Sequence, residues 1–202
     1  MKRKLLIVSV LAILVAVTAA GTLAYFTDTG TAHNVITTGN VDIELKEWAD
    51  KARTQPFENK TGVMPGMEVT KIVEVKNTGT GAAFLRLYVE TEVYSAKGQK
   101  MDPKHRPVSL NFNDTEWTYS ESDGYYYYNR ALKPGETTEP LFTTVTFDPL
   151  MGNDYQNASA HVKVIAYAVQ SANNGDSPQA AKGWPSDTQA EPTPVPNPPK
   201  NP

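Results

Sequence analysis

The 202-residue chain contains no cysteine, which excludes disulfide frameworks, thiolate zinc sites, iron–sulfur clusters and cysteine nucleophiles. Its stability has to come from packing. Histidine is scarce, and none of His33, His105 and His161 stands in a His-Glu-x-x-His arrangement that would set two imidazoles and a general base on one helix face. A Gly-x-Ser-x-Gly elbow and a glycine-rich loop ending in Lys-Ser or Lys-Thr are equally missing, so the serine-hydrolase and nucleotide-binding readings lack their key residues. These absences lead us to expect no catalytic residue, no metal site and no cofactor.

Concentrated positive charge is also lacking. Nineteen Lys and Arg face 22 Asp and Glu, for a formal net charge of −3. No later stretch gathers the basic residues that phosphate neutralisation requires, which argues against nucleic acid as a partner.

What is present starts at the N-terminus. Lys2, Arg3 and Lys4 precede an apolar run over residues 5–20, interrupted only by Ser9 and Thr18, and then come Thr22, Leu23 and Ala24. This is the layout of a secretory signal peptide, with Thr22 and Ala24 at the small-residue positions of the cleavage site and Tyr25 as the mature N-terminus. The helix it would form spans roughly 24 Å against a hydrocarbon core of about 30 Å, and no basic stop-transfer cluster follows. Cleavage is expected rather than anchoring, and the product is secreted or placed at the cell surface. Its net charge moves from −3 to −6, because the lost segment carries three bases and no acid.

The remainder alternates with period two. Val41, Ile43 and Leu45 alternate with Asp42, Glu44 and Lys46; Val69, Lys71, Val73 and Val75 follow the Pro65-Gly66 turn; Leu85, Leu87, Val89 and Val93 share the next inward face. Val108, Leu110 and Phe112 form a short alternation. Residues 117–119 and 125–128 flank Asp123-Gly124 as a hairpin, Leu141, Thr143, Val145 and Phe147 follow Pro134-Gly135, and Val162, Val164, Ala166 and Ala168 close the set. Seven or eight strands with short turns predict an all-β, antiparallel β-sandwich of jelly-roll or immunoglobulin-like kind. Residues 47–63 read as an inserted loop or short helix. The expected organisation is a signal peptide at 1–24, a terminal segment at 25–40, the sandwich at 41–171, and a proline-rich, disordered tail at 172–202 carrying Pro192, Pro194, Pro196, Pro198, Pro199 and Pro202.

Candidate sites are few. Asp123, Asp148 and Asp154 fall near predicted loops, where carboxylates suit a hard cation, although no calcium-loop spacing is matched. The run Tyr125, Tyr126, Tyr127 and Tyr128 presents two rings to each face of a strand, for cross-strand packing near Trp117 and Tyr119 or for stacking on a sugar. The segment 25–40 is the most informative feature. Tyr25, Phe26, Val35 and Ile36 make it aromatic and β-branched, yet it sits at a free end once the signal is removed. Such a segment either completes its own sheet or adds as a donor strand to another copy, and head-to-tail repetition of the second option builds a filament.

Gly21-Thr22-Leu23-Ala24-Tyr25-Phe26-Thr27-Asp28 and Gly39-Asn40-Val41-Asp42-Ile43-Glu44-Leu45 resemble the signal and mature start of the SipW-dependent TasA and camelysin (CalY) family. The resemblance continues through Pro65-Gly66, the strand ending Val75-Lys76-Asn77-Thr78-Gly79, the tyrosine run, Leu132-Lys133-Pro134-Gly135 and Ala166-Tyr167-Ala168-Val169-Gln170, covering residues 1–170. It implies a secreted, jelly-roll-like subunit, released by a SipW-type signal peptidase, that forms homo-oligomeric extracellular fibres of a biofilm matrix with or without an accessory matrix protein. It further implies that residues 25–40 complete the sheet of the next subunit. The camelysin branch is described as metalloendopeptidases, which makes a secreted metallopeptidase the alternative; a monomeric surface adhesion module is a third.

Overall fold

The computed structural model describes residues 41–58, 64–102, 107–152, 155 and 157–185. The predicted signal helix, the Ala24–Tyr25 cleavage site, the donor residues Phe26, Val35 and Ile36, and His33, His105 and Asp154 lie outside these.

Among the described residues eight strands are formed: β1 Ile43–Trp48, β2 Glu68–Asn77, β3 Ala83–Tyr94, β4 Val108–Leu110, β5 Trp117–Tyr119, β6 Tyr125–Tyr128, β7 Phe142–Phe147 and β8 Ser159–Gln170. A single 3-10 turn, Pro178–Ala180, follows them. Every pairing is antiparallel, in two four-stranded sheets ordered β1-β2-β7-β4 and β5-β6-β3-β8. One apolar core lies between them, with Val73 and Val75 of β2 facing Leu85 and Leu87 of β3, all four completely buried. Each such leucine contributes about 1.5–3 kcal/mol relative to an exposed one. The core is what replaces the missing disulfides.

The predicted inward rows of β1, β3 and β8 are the observed ones, because those strands pair without interruption. β7 departs from its prediction. Thr70 pairs with Thr144 and Val73 with Phe142, so β2 has one more residue than β7 across this interval, a bulge. Phe142 therefore enters the core and Thr143 does not. Asn111 supports the irregularity: its Oδ1 accepts from the backbone N–H groups of Thr143 (2.9 Å) and Thr144 (2.7 Å), and its Nδ2 donates to Thr143 Oγ1.

Residues 49–58 form a loop without helix, held by Asp50, whose Oδ1 accepts from the N–H groups of Thr54 and Gln55 while Oδ2 accepts from Thr54 Oγ1. These hydrogen bonds, the Gln55 N–H foremost, hold the Asp50 carboxyl below its ordinary range. The loop brings Arg53 and the β1 residue Trp48 onto Glu74, which is 4% exposed and accepts from Arg53 Nε at 2.8 Å and Trp48 Nε1 at 2.9 Å. Close by, the fully buried Lys71 donates to Glu47 Oε2 at 2.9 Å and stands 4.1 Å from the centre of the Phe57 ring. β2 is thus covered on both faces, although its sequence alternates.

The tail expectation is corrected at its start. Residues 172–185 fold back over the outer face of the second sheet, because Ala181 and Trp184 find an apolar surface there made by Phe84, Val169 and Ala131. Asn174 fastens this strap, its Nδ2 donating to the carbonyls of Gln170 (2.9 Å) and Lys182 (3.0 Å) and its Oδ1 accepting from Lys182 N (2.8 Å). Residues 186–202 lie outside the described residues.

Candidate functional site

The three described candidates for metal or acid chemistry do not converge. Asp123 caps the β5–β6 hairpin, accepting from Tyr127 Oη at 2.6 Å and from Tyr125 N. Asp148 accepts from Leu150 N at 2.7 Å in the turn after β7. His161 sits on β8 opposite Glu92, with Nε2 3.3 Å from Ser159 Oγ and its ring edge-on to Tyr94. Among the described residues no group of three or more His, Cys, Asp or Glu is placed to hold a metal ion.

The tyrosine run divides between the faces as its period requires, but neither pair of rings is open. Tyr126 and Tyr128 enter the sandwich core, Tyr126 stacking on Phe112 and Tyr128 tilting against Trp117. Tyr125 and Tyr127 point to the outer face, where with Tyr88 and Tyr167 they form a second cluster under Trp184. All four rings of the run are 7% exposed or less. Burial pushes the Tyr126 phenol well up, and burial together with the Asp123 hydrogen bond raises Tyr127.

Arg86 stands at the centre of that outer cluster. Its guanidinium carbon lies 3.9 Å from the Tyr125 ring centre, 4.7 Å from that of Trp184 and 5.4 Å from that of Tyr167. Three ring faces around one cation are worth about 0.5–2 kcal/mol each when solvent is excluded. Sequence reading passed over Arg86 and Trp184. The available signal was one cation flanked by Phe84, Leu85, Leu87 and Tyr88 in the apolar first half of β3, and one tryptophan in an otherwise polar tail.

The remaining feature is the margin of the second sheet. β8 runs for 12 residues, paired with β3 from Ala83↔Gln170 to Tyr94↔Ser159 without a register break, and β3 is its strand neighbour among the described residues. Its inner face, Ala160, Val162, Val164, Ala166 and Ala168, is buried, with the alanines set against the larger Leu85, Leu87 and Val93 of β3 and Val164 against Val89. β8 contains no proline and no bulge, two of the devices that blunt a sheet margin against further pairing. The charged outer half of the β3–β8 pair carries Glu90, Glu92 and Lys163, and Lys100, in the segment after β3, pairs with Glu92. Burial, aided by the neighbouring Glu92, raises the Glu90 carboxyl. Burial also opposes ionisation of Glu92, but hydrogen bonds from Lys100 and Tyr94 prevail and lower it.

The family model described as camelysin metallo-endopeptidase matches residues 1–117, more than half of the chain. The chain belongs to this family. No curated protein and no solved structure matches it. The match stops at the first residue of β5, inside both sheets: β7 lies between β2 and β4, and β3 lies between β6 and β8. Its limit is therefore not a domain boundary of the camelysin-family fold. The outer cluster combines Arg86, from the matched part, with Tyr125, Tyr167 and Trp184 beyond it. Among the described residues no helix is long and apolar enough to cross a membrane.

Proposed function

We propose that this camelysin-family chain is a secreted structural subunit that assembles into extracellular matrix fibres, residues 25–40 of one copy adding as a strand beside β8 of the next. The observation that carries the reading is the β8 margin: long, regular, free of proline, and small on its inner face. The added segment runs there as an antiparallel neighbour. Bulky apolar side chains on one of its faces cover a core boundary lined on β8 by alanine and valine. Tyr25, Phe26, Val35 and Ile36 are side chains of that kind, and a strand beside β8 completes the second sheet as a jelly roll.

Removal of residues 1–24 by a SipW-type signal peptidase frees the donor, so cleavage and assembly are coupled. Head-to-tail pairing is heterologous and does not close, which yields a filament and leaves room for an accessory matrix protein at its end. The test compares protein beginning at Tyr25 with protein lacking residues 25–40, by negative-stain electron microscopy. Fibres from the first and soluble monomers from the second are expected; ordered fibres from the shortened protein would overturn the donor role.

The family description favours a second reading, a secreted metallo-endopeptidase. It requires stoichiometric zinc in the purified protein and chelator-sensitive casein cleavage that is lost in His161→Ala. Protein that cleaves casein in this way without forming fibres would establish it over the structural reading.

A further inference from the structure

We infer that Asn174 is a self-modification site, whose conversion to aspartate or isoaspartate unfastens the C-terminal strap from the aromatic outer face. Three observations meet at this residue. It is followed by Gly175, which has no Cβ to hinder its amide nitrogen. Gly175 is exposed, adopts φ +88°, and its N–H donates to no acceptor among the described residues, so the nitrogen is not held in a competing hydrogen bond. Third, the Asn174 side chain carries the fastening itself, through two donated hydrogen bonds and one accepted bond that join Gln170 to Lys182.

The chemistry needs only water. The Gly175 nitrogen, losing its proton, attacks Asn174 Cγ; the new C–N bond closes a succinimide and the side-chain amide leaves as ammonia. Water then opens the ring at one carbonyl or the other, giving aspartate or isoaspartate. One ammonia leaves, one water enters, and nothing is oxidised or reduced.

The product cannot make the original contacts. An amide nitrogen supplies the two donors that the Gln170 and Lys182 carbonyls need, whereas an ionised carboxylate only accepts, placing an anionic oxygen about 3 Å from two carbonyl oxygens. The isoaspartate product also lengthens the main chain by one carbon, at a place where even a Cβ on Gly175 would come within 3.3 Å of the Ala180 carbonyl oxygen. The closed strap fits the amide and excludes either acid. Its opening lifts Ala181 and Trp184 from Phe84, Val169 and Tyr127, and removes one of the three rings around Arg86. Because the hydrolysis is one-way, the fraction of open straps records the age of the protein.

The test ages the protein beginning at Tyr25 in mildly alkaline buffer. It follows amide-to-acid conversion by peptide mass mapping with isoaspartate detection, and strap opening by tryptic cleavage after Lys182. Asn174 is expected to convert several-fold faster than Asn77 or Asn111. Cleavage after Lys182 should rise in step with that conversion, Asn174→Asp should be cleaved at the fast rate from the outset, and Asn174→Gln should stay closed far longer on ageing. Conversion of Asn174 no faster than that of Asn111 would overturn the inference, as would Asn174→Asp protein that resists cleavage like the fresh parent.

Discussion

Replacing the two members of the buried Lys71–Glu47 pair one at a time separates charge from packing in this core. Lys71 is wholly buried and the Glu47 side chain is 14% exposed, with Nζ and Oε2 at 2.9 Å. Glu47→Leu removes one carboxylate partner of an ammonium that stays out of water. Breaking a buried pair costs about 3–5 kcal/mol, and the partial exposure of Glu47 together with the Phe57 ring beside Nζ reduces the expected loss to about 2–4 kcal/mol. Lys71→Met removes the more deeply buried charge and keeps an unbranched side chain whose sulfur suits the Phe57 ring, but it leaves the 14%-exposed Glu47 carboxylate without Lys71, so it is expected to cost about 1–2 kcal/mol, less than Glu47→Leu. The double variant is expected to recover most of the loss in Glu47→Leu, a coupling of about 2 kcal/mol or more. Urea unfolding followed by the fluorescence of Trp48, Trp117 and Trp184 together measures all three, and at about 2–4 °C per kcal/mol the single Glu47→Leu change lowers Tm by roughly 4–16 °C. The reasoning fails if Glu47→Leu costs less than about 0.5 kcal/mol, the level of an ordinary surface change, or if Lys71→Met costs as much as Glu47→Leu.

Other changes test individual supports. Asn77, fully buried, donates to the carbonyls of Gly81 and Leu132 and accepts from Gly79 N, all at 2.9 Å. Leu132 O also accepts from Ala83 N and Gly79 N also donates to Asp42 O, so Asn77→Ala strands the Gly81 carbonyl and is expected to cost about 1–3 kcal/mol by denaturant unfolding. Gly66 has φ +76° but would meet Pro149 Cβ only at an ordinary 3.6 Å, so Gly66→Ala is expected to lose about 1–2 kcal/mol through backbone conformation rather than collision. A β-branched residue there should cost still more. The lowered carboxyl of Asp50 gives stability that is complete above the ordinary carboxylate range and is lost as pH falls through its folded value. Melting temperature against pH should therefore fall less steeply on the acid side in Asp50→Asn than in the parent; parallel curves would remove Asp50 from the account.

Legibility followed regularity. β1, β3 and β8 were readable because each keeps one apolar row through an unbroken pairing, as Leu85, Leu87 and Val89 do against Ala168, Ala166 and Val164. The Phe142–Thr143 exchange was not readable, since a bulge is a property of two strands and the Asn111 side chain that accommodates it lies over thirty residues away. The burial of Glu74 was hidden for a similar reason: a charged residue in an alternating strand reads as solvated until the loop that covers it is placed. The two-faced division of the tyrosine run followed from period two alone, but its closure did not. That depends on Trp184, in a stretch whose polar composition suggested no core contribution.

The interleaving of the two sheets has a consequence for the order in which they can form. As the chain emerges, the β1–β2 hairpin can close early, but β3 waits for β6 and β8, while β2 and β4 both wait for β7. The pairing of Ala83 with Gln170 closes a loop that takes in most of the domain. Such non-local pairing slows folding and prolongs the interval in which apolar strand surfaces are uncovered. The last strand to arrive, β8, is also the one that gives the 12-residue β3 its second neighbour, so completion of the fold is held back until almost the entire domain is available.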